Sequence, residues 1–233
     1  NRDNQYLEYI LNEKIHIKNL VFKYQESEKN IFNNFNLEIK KGEYVIISGP
    51  SGVGKSTLIN LILGLLKPIS GEILIDNQNI HKNLNGFYKI IGHAPQDINL
   101  IDDTLIANIA FGCFPEEIDR NQVIKSINIA GLKSFVESLP NKLETDVGEK
   151  GFKISGGQKQ RIGIARALYN NPTVLIFDEA TASLDNDTEK QVMNSIYDLK
   201  KEKTMIIISH RISTLKNCDY VYEIKNGKIN LKN

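Results

Sequence analysis

Three short runs interrupt an otherwise mixed pattern. Residues 44–48 (YVIIS), 173–177 (TVLIF) and 205–209 (MIIIS) are almost wholly apolar and rich in β-branched side chains. Runs of this kind predict strands buried on both faces. Elsewhere apolar residues alternate with polar ones. Ile15-His16-Ile17, Leu20-Val21-Phe22 and residues 35–39 and 72–76 read as strands with one covered face. Lys41-Gly42 predicts a turn. Helical spacing is expected over 55–66, closed near Pro68, over 118–130 and 132–138, from Gly157 to about Tyr169, and over 187–200. Asn226-Gly227, between residues 220–225 and 228–231, is a strong hairpin signal.

Buried strands alternating with helices predict an α/β fold with a mostly parallel sheet. The alternating strands near the N-terminus predict an antiparallel β-subdomain beside it. From about Asp97 the pattern turns helical and shows no convincing strand up to Glu149, so a helical subdomain is expected over about 97–165. Residues 1–14 are polar, with Tyr6, Leu7, Ile10 and Leu11 at helical spacing, and read as a short helix or a connector. The remainder, 15–233, reads as one domain.

Chemistry enters at the ends of the buried runs. Gly49-Pro50-Ser51-Gly52-Val53-Gly54-Lys55-Ser56-Thr57 fits G-x-x-x-x-G-K-[ST] and lies between a predicted buried strand and a helix. Glycines let the backbone curl so that successive N–H groups face phosphate oxygens. Lys55 neutralises β- and γ-phosphates, and the Ser56 hydroxyl ligates Mg²⁺. The run 173–177 ends in Asp178-Glu179, which carries two carboxylates to the carboxyl edge of the sheet. Asp178 suits Mg²⁺ opposite Ser56, and Glu179 suits a general base for water. A second glycine turn, Ser155-Gly156-Gly157-Gln158, opens another helix, and helix N-termini of this kind bind anions.

Composition narrows the class. The chain has 233 residues, 41% hydrophobic and 24% charged, enough for a sizeable core. A net charge of +1 gives no basic excess, so no nucleic-acid partner is expected. Cys113 and Cys218 lie far apart without CxxC spacing, which fits isolated reduced thiols in a cytosolic compartment. No apolar run reaches the roughly 18 residues needed to span a bilayer, and no signal peptide is evident, so this stretch is expected to be soluble.

With these residues in place, the chain closely resembles the nucleotide-binding domain of ATP-binding-cassette (ABC) transporters. The resemblance covers about residues 15–231, with the motifs in family order. Residues 154–158 look like the family signature, with Ile154 for the usual Leu. Gln96, after Ala94-Pro95, resembles the glutamine that reaches Mg²⁺ and water. Ala182-Ser183-Leu184-Asp185 is similar to the D-loop, with its small residues in a slightly different order. His210 resembles the switch histidine that contacts the γ-phosphate. Tyr24 resembles the aromatic that stacks on adenine, with Phe22 two positions earlier as the alternative. Residues 145–151 (TDVGEKG) resemble the TxVGExG segment of exporter-type members, with Lys150 for a more usual Arg.

The resemblance implies a P-loop NTPase core, an N-terminal antiparallel β-subdomain and a helical signature subdomain. It implies ATP and Mg²⁺ as ligands. The phosphate loop and Tyr24 would hold ATP, and Ser155, Gly156, Gly157, Gln158 and Asp185 would reach it from a second copy. Ser56, Gln96 and Asp178 would hold the metal. Lys55, Gln96, Glu179 and His210 would carry catalysis. The expected partners are a transmembrane domain, with residues 1–14 as the connector to it, and a second cassette. The expected place is the cytoplasmic face of the cell membrane. The alternative is a soluble ATPase of the same superfamily, associated with DNA repair or translation. The first would insert a long coiled coil between phosphate loop and signature; here about a hundred residues without sustained heptads separate them. The second would need two tandem cassettes.

Overall fold

A computed structural model describes residues 8–149, 151–200, 202–209 and 218–232. The antiparallel sheet forms from β1 (Lys14–Phe22), β2 (Phe32–Lys40), β4 (Ser70–Ile75) and β5 (Gln78–Asn79), in the order β2-β1-β4-β5. The larger sheet uses β3 (Tyr44–Ser48), β6 (Ile91–Ala94), β9 (Val174–Asp178), β10 (Thr204–Ile208), β11 (Tyr220–Lys225) and β12 (Lys228–Lys232), in the order β12-β11-β3-β10-β9-β6. Every pairing in it is parallel except the β11–β12 hairpin. That hairpin turns at Asn226 (φ 52°) and Gly227 (φ 70°), the two left-handed residues of a tight hairpin turn. The fold is the expected one.

Helices cover the sheet. They are α1 (Lys55–Ile62), α2 (Leu84–Tyr88), α3 (Leu105–Ile109), α4 (Arg120–Ile129), α5 (Lys133–Ser138), α6 (Gly156–Tyr169) and α7 (Asn186–Tyr197). A two-stranded ladder, β7 (Asp103–Thr104) with β8 (Asp146–Val147), crosses the helical region. Alternate faces of the parallel strands feed two cores. Tyr44, Ile46, Leu175, Phe177, Met205 and Ile207 join α3, α4 and α6. Val45, Ile47, Val174, Ile176, Ile206 and Ile208 join α1 and the antiparallel sheet. Burial on both faces explains why these strands read as unbroken apolar runs.

Three expectations need correction. Helix α1 stops at Ile62 rather than Leu66, because Gly64 turns left-handed (φ 70°) and the N–H groups of Leu65 and Leu66 both return to Asn60 O. The helical region does contain strand, the short β7–β8 ladder. Residues 8–13 form no helix; Tyr9 and Leu11 are buried in the core shared with the antiparallel sheet. Asp76 holds this segment by accepting the N–H groups of Asn12, Glu13 and Lys14 at 2.9–3.0 Å.

Candidate functional site

The register of the parallel sheet assembles the site. Ile208 of β10 pairs with Ile47 of β3 on one side and with Asp178 of β9 on the other. Ala94 of β6 pairs with Phe177. The chain therefore leaves one sheet edge at three neighbouring points, into the loop from Gly49, into Asp178-Glu179 and towards Gln96. This is the carboxyl edge, where open parallel sheets bind ligands.

The loop from Gly49 to Gly54 depends on its glycines. Gly49, Gly52 and Gly54 have φ of 142°, 77° and 106°, a region that side chains rarely adopt. A Cβ at Gly54 would approach Ile31 Cγ2 at 2.7 Å. Gly54 caps α1 without a side chain, so no side-chain acceptor competes for the first-turn N–H groups. Lys55 is buried, and its Nζ donates to Gly49 O at 2.8 Å and Pro50 O at 2.9 Å. Its charge thus sits at the loop mouth. Ser56 is exposed, and Thr57 Oγ1 lies 3.2 Å from the Tyr24 hydroxyl. An uncapped helix start, a curled loop and a cation together make an anion cradle.

Asp178 faces this cradle electrostatically. Burial raises its carboxyl pKa first and Glu179 adds to the rise, while Lys55 opposes both. Glu179 holds a left-handed backbone (φ 49°), its N–H donating to Ile208 O at 3.1 Å. Left-handed backbone in a non-glycine residue is uncommon and concentrates at functional turns. No group of three or more His, Cys, Asp or Glu side chains that could cage a metal occurs among the described residues. One carboxylate and one hydroxyl carried to the same sheet edge nevertheless suit Mg²⁺, which keeps waters and substrate phosphates as its other ligands. Gln96 is exposed just beyond β6. His210 lies outside the described residues.

Of the two aromatic candidates, Phe22 is 5% exposed in the core and Tyr24 is 45% exposed, so the solvent-facing ring is that of Tyr24, which packs edge-on against Phe22 with centroids 5.1 Å apart. Beside it lies a groove of 710 Å³ lined by Phe22, Lys23, Tyr24, Leu65 and Ile69 among others, ample for a nucleobase.

The second glycine turn is a capping box. Gln158 N donates to Ser155 Oγ at 3.2 Å, and Ser155 N donates to Gln158 Oε1 at 2.8 Å. Ser155 and Gly156 are exposed. The carboxylate of Asp185 caps α7, accepting from Thr188 N and Asp187 N at 3.0 and 3.2 Å, and hydrogen bonding from Thr188 above all holds its pKa low. Residues 145–149 form an ordered turn rather than a loose charged loop. Thr145 is buried, Gly148 has φ 108°, and Glu149 N donates to Asp102 Oδ1 at 2.7 Å.

Two buried polar residues had no signal in the sequence. Asn108 is fully buried and bonds the backbone of residues 101–104. Gln160 is buried on α6. Both read as ordinary helix-surface residues until their tertiary partners are seen.

A parallel α/β core whose phosphate loop and acidic strand end leave one sheet edge side by side defines a P-loop nucleotide-binding domain. Residues 32–182 match the ABC transporter family model, and the chain belongs to that family. It is 39% identical over 213 residues to an ATP-dependent lipid A-core flippase of Cupriavidus metallidurans, covering 91% of this chain and 36% of that protein. It is 43% identical over 217 residues to a Staphylococcus aureus ATP-binding/permease protein provisionally named for multidrug export, covering 93% of this chain and 37% of that one. The fold superposes on a bacterial Atm1-family ABC exporter with ATP bound, with a TM-score of 0.88 and 36% identity, covering 97% of this chain and 39% of the exporter. The chain thus spans little more than a third of the length of these relatives. Among the described residues no helix is long and apolar enough to cross a membrane.

Proposed function

We propose that the chain is the ATP-binding and ATP-hydrolysing motor domain of an ABC exporter, driving export or flipping of a lipid, lipid-linked oligosaccharide, peptide or drug. The observation that carries this reading is the row Ile47, Ile208 and Asp178 across three parallel strands, which delivers the phosphate loop and the acidic pair to one edge. Lys55 trades the carbonyls of Gly49 and Pro50 for phosphate oxygens when ATP enters, and Gly49 to Thr57 supply backbone N–H groups. The ring of Tyr24 stacks on the adenine. Ser56, Asp178 and Gln96 would hold Mg²⁺, which when bound neutralises phosphate charge. Glu179 takes the proton from the attacking water, with His210 at the γ-phosphate.

Ser155, Gly156, Gly157, Gln158 and Asp185 serve the ATP of a second copy. The pairing is isologous, each copy's phosphate loop facing the other's second glycine turn, so two equivalent sites form together. Coupling runs through the helical region to a transmembrane domain, placing this chain on the cytoplasmic face of a membrane.

The test is Mg²⁺-dependent phosphate release by the full chain over rising protein concentration. The reading requires a rate per chain that climbs with concentration and vanishes in Lys55→Ala. A rate per chain independent of concentration contradicts the two-copy site.

A further inference from the structure

The signature turn and the loop carrying Glu179 touch within one chain. A Cβ built on Gly156 would lie 3.8 Å from Ser183 Cβ, and one on Gly157 would lie 3.4 Å from both Leu184 Cδ2 and Ser183 O. One turn further along α6, the buried Gln160 accepts the N–H of Ser183 through Oε1 at 2.7 Å. The loop from Glu179 to Asp185 is held on its other side as well. Thr181 Oγ1 donates to Glu189 Oε1 of α7 at 2.9 Å, and Glu189 is 2% exposed. Its own turns close through Ala182 N to Glu179 O and Leu184 N to Thr181 O. Bonded this way along its length, the loop is braced from both sides, and Gln160 joins it to α6.

We propose that Gln160 is a positioning residue that ties the placement of the signature turn to that of Glu179. The proposal rests on the two-copy reading above. There, one chain's signature turn contacts the partner's ATP, while its Glu179 acts on its own. The Gln160–Ser183 bond then joins the two ATP sites through a single chain. Engagement of Ser155 to Gly157 by one nucleotide sets α6, α6 sets Ser183, and Ser183 sets the turn that begins at Glu179. Gln160 touches neither nucleotide nor water.

The experiment measures hydrolysis against ATP concentration for the full chain with Gln160→Met, which keeps length and loses the acceptor, and Gln160→Glu, which keeps an acceptor oxygen. Gln160→Met is expected to lower kcat about tenfold, the effect of one hydrogen bond's worth of free energy. Its KM for ATP stays within about twofold, because no nucleotide contact is lost. Its Hill coefficient falls towards 1, and Gln160→Glu recovers most of kcat. Wild-type kcat and Hill coefficient in Gln160→Met overturn the proposal, as does a Gln160→Glu chain that melts normally yet is as slow as Gln160→Met. Where Gln160→Met melts below the assay temperature, amide exchange at Ser183 in the unmodified chain decides. Slowing on ATP binding supports the coupling, and unchanged exchange overturns it. Glu179→Gln runs in parallel. Lost hydrolysis there with unaffected Gln160 variants rejects only the strut, whereas unaffected hydrolysis in Glu179→Gln rejects the underlying site reading.

Discussion

Asn108→Leu should be among the most damaging single changes away from the phosphate loop. Asn108 is 0% exposed on α3. Its Nδ2 lies 3.1, 3.4 and 3.0 Å from the carbonyl oxygens of Ile101, Asp103 and Thr104. Three carbonyls around one terminal atom fix that atom as the amide nitrogen. Oδ1 accepts Ile101 N at 3.0 Å and Arg166 NH2 at 3.2 Å. Arg166, on α6, also donates to Asn108 O at 2.8 Å and Asn99 O at 3.2 Å. The pair therefore straps the segment following Gln96 onto the signature helix. Leucine has a similar volume, so the cost is mainly unpaired polar groups rather than a cavity. Losing the bonds to Ile101 N, Ile101 O (which keeps the N–H of Asp103 at 2.9 Å) and Thr104 O, with Arg166 weakened, costs about 3–4 kcal/mol at roughly 1 kcal/mol each. For a chain of this size that is a drop of about 6–16 °C in melting temperature. Urea unfolding followed by circular dichroism, with an unchanged m-value, measures it. Asn108→Asp should lose a comparable amount at neutral pH, since a carboxylate would then face three carbonyl oxygens, and should regain part of it on protonation. An Asn108→Leu chain within about 1 kcal/mol of the unmodified one refutes the strap.

Two further outcomes concern titration. The carboxyl of Asp178 is raised by burial and by Glu179, so its contribution to stability is present at low pH and lost as pH rises through its folded pKa. Asp178→Asn should therefore melt higher than the unmodified chain in Mg²⁺-free buffer at pH 8 while losing Mg²⁺-dependent hydrolysis; a lower melting point contradicts the burial argument. His93, on β6, has a pKa lowered by desolvation, and its buried Nε2 has no hydrogen-bond partner among the described residues. The unfolded imidazole then binds its proton first, so stability falls as pH drops below about 6.5. His93→Leu should flatten that acid limb in a melting-temperature profile, and an unchanged limb counts against it.

The strands that build the site were legible because burial on both faces leaves no polar positions, as at residues 44–48 and 205–209. The strand that leads to Gln96 was not. Residues 91–94 are Ile-Gly-His-Ala, with no apolar run and a glycine inside. Gly92 is there because α6 passes so close that a Cβ would collide with Ala167 O, and strand character comes from pairing with Val174 to Phe177. The end of α1 was misplaced because Leu65 and Leu66 continue the apolar pattern past Gly64, whose left-handed backbone ends the helix. The glycine loop and acidic strand end were readable because their chemistry is local. Asn108 acts through the backbone of residues 101–104 and through Arg166, and Gln160 through Ser183, partners set by the loop path and tertiary packing; periodicity treats a polar residue on a helix as solvent-facing. Tyr24 was separated from Phe22 only by exposure.

The central claim is that ATP is held between two copies of this chain and that Glu179 removes the water's proton. Sedimentation of Glu179→Gln with Mg²⁺ and ATP tests it most directly, with bound nucleotide counted in the sedimenting species. A stable pair of chains holding two intact ATP molecules, which falls apart when Ser155→Arg blocks the second glycine turn, is the predicted result. A chain that stays single while saturated with ATP, or that turns ATP over at the unmodified rate, contradicts the account.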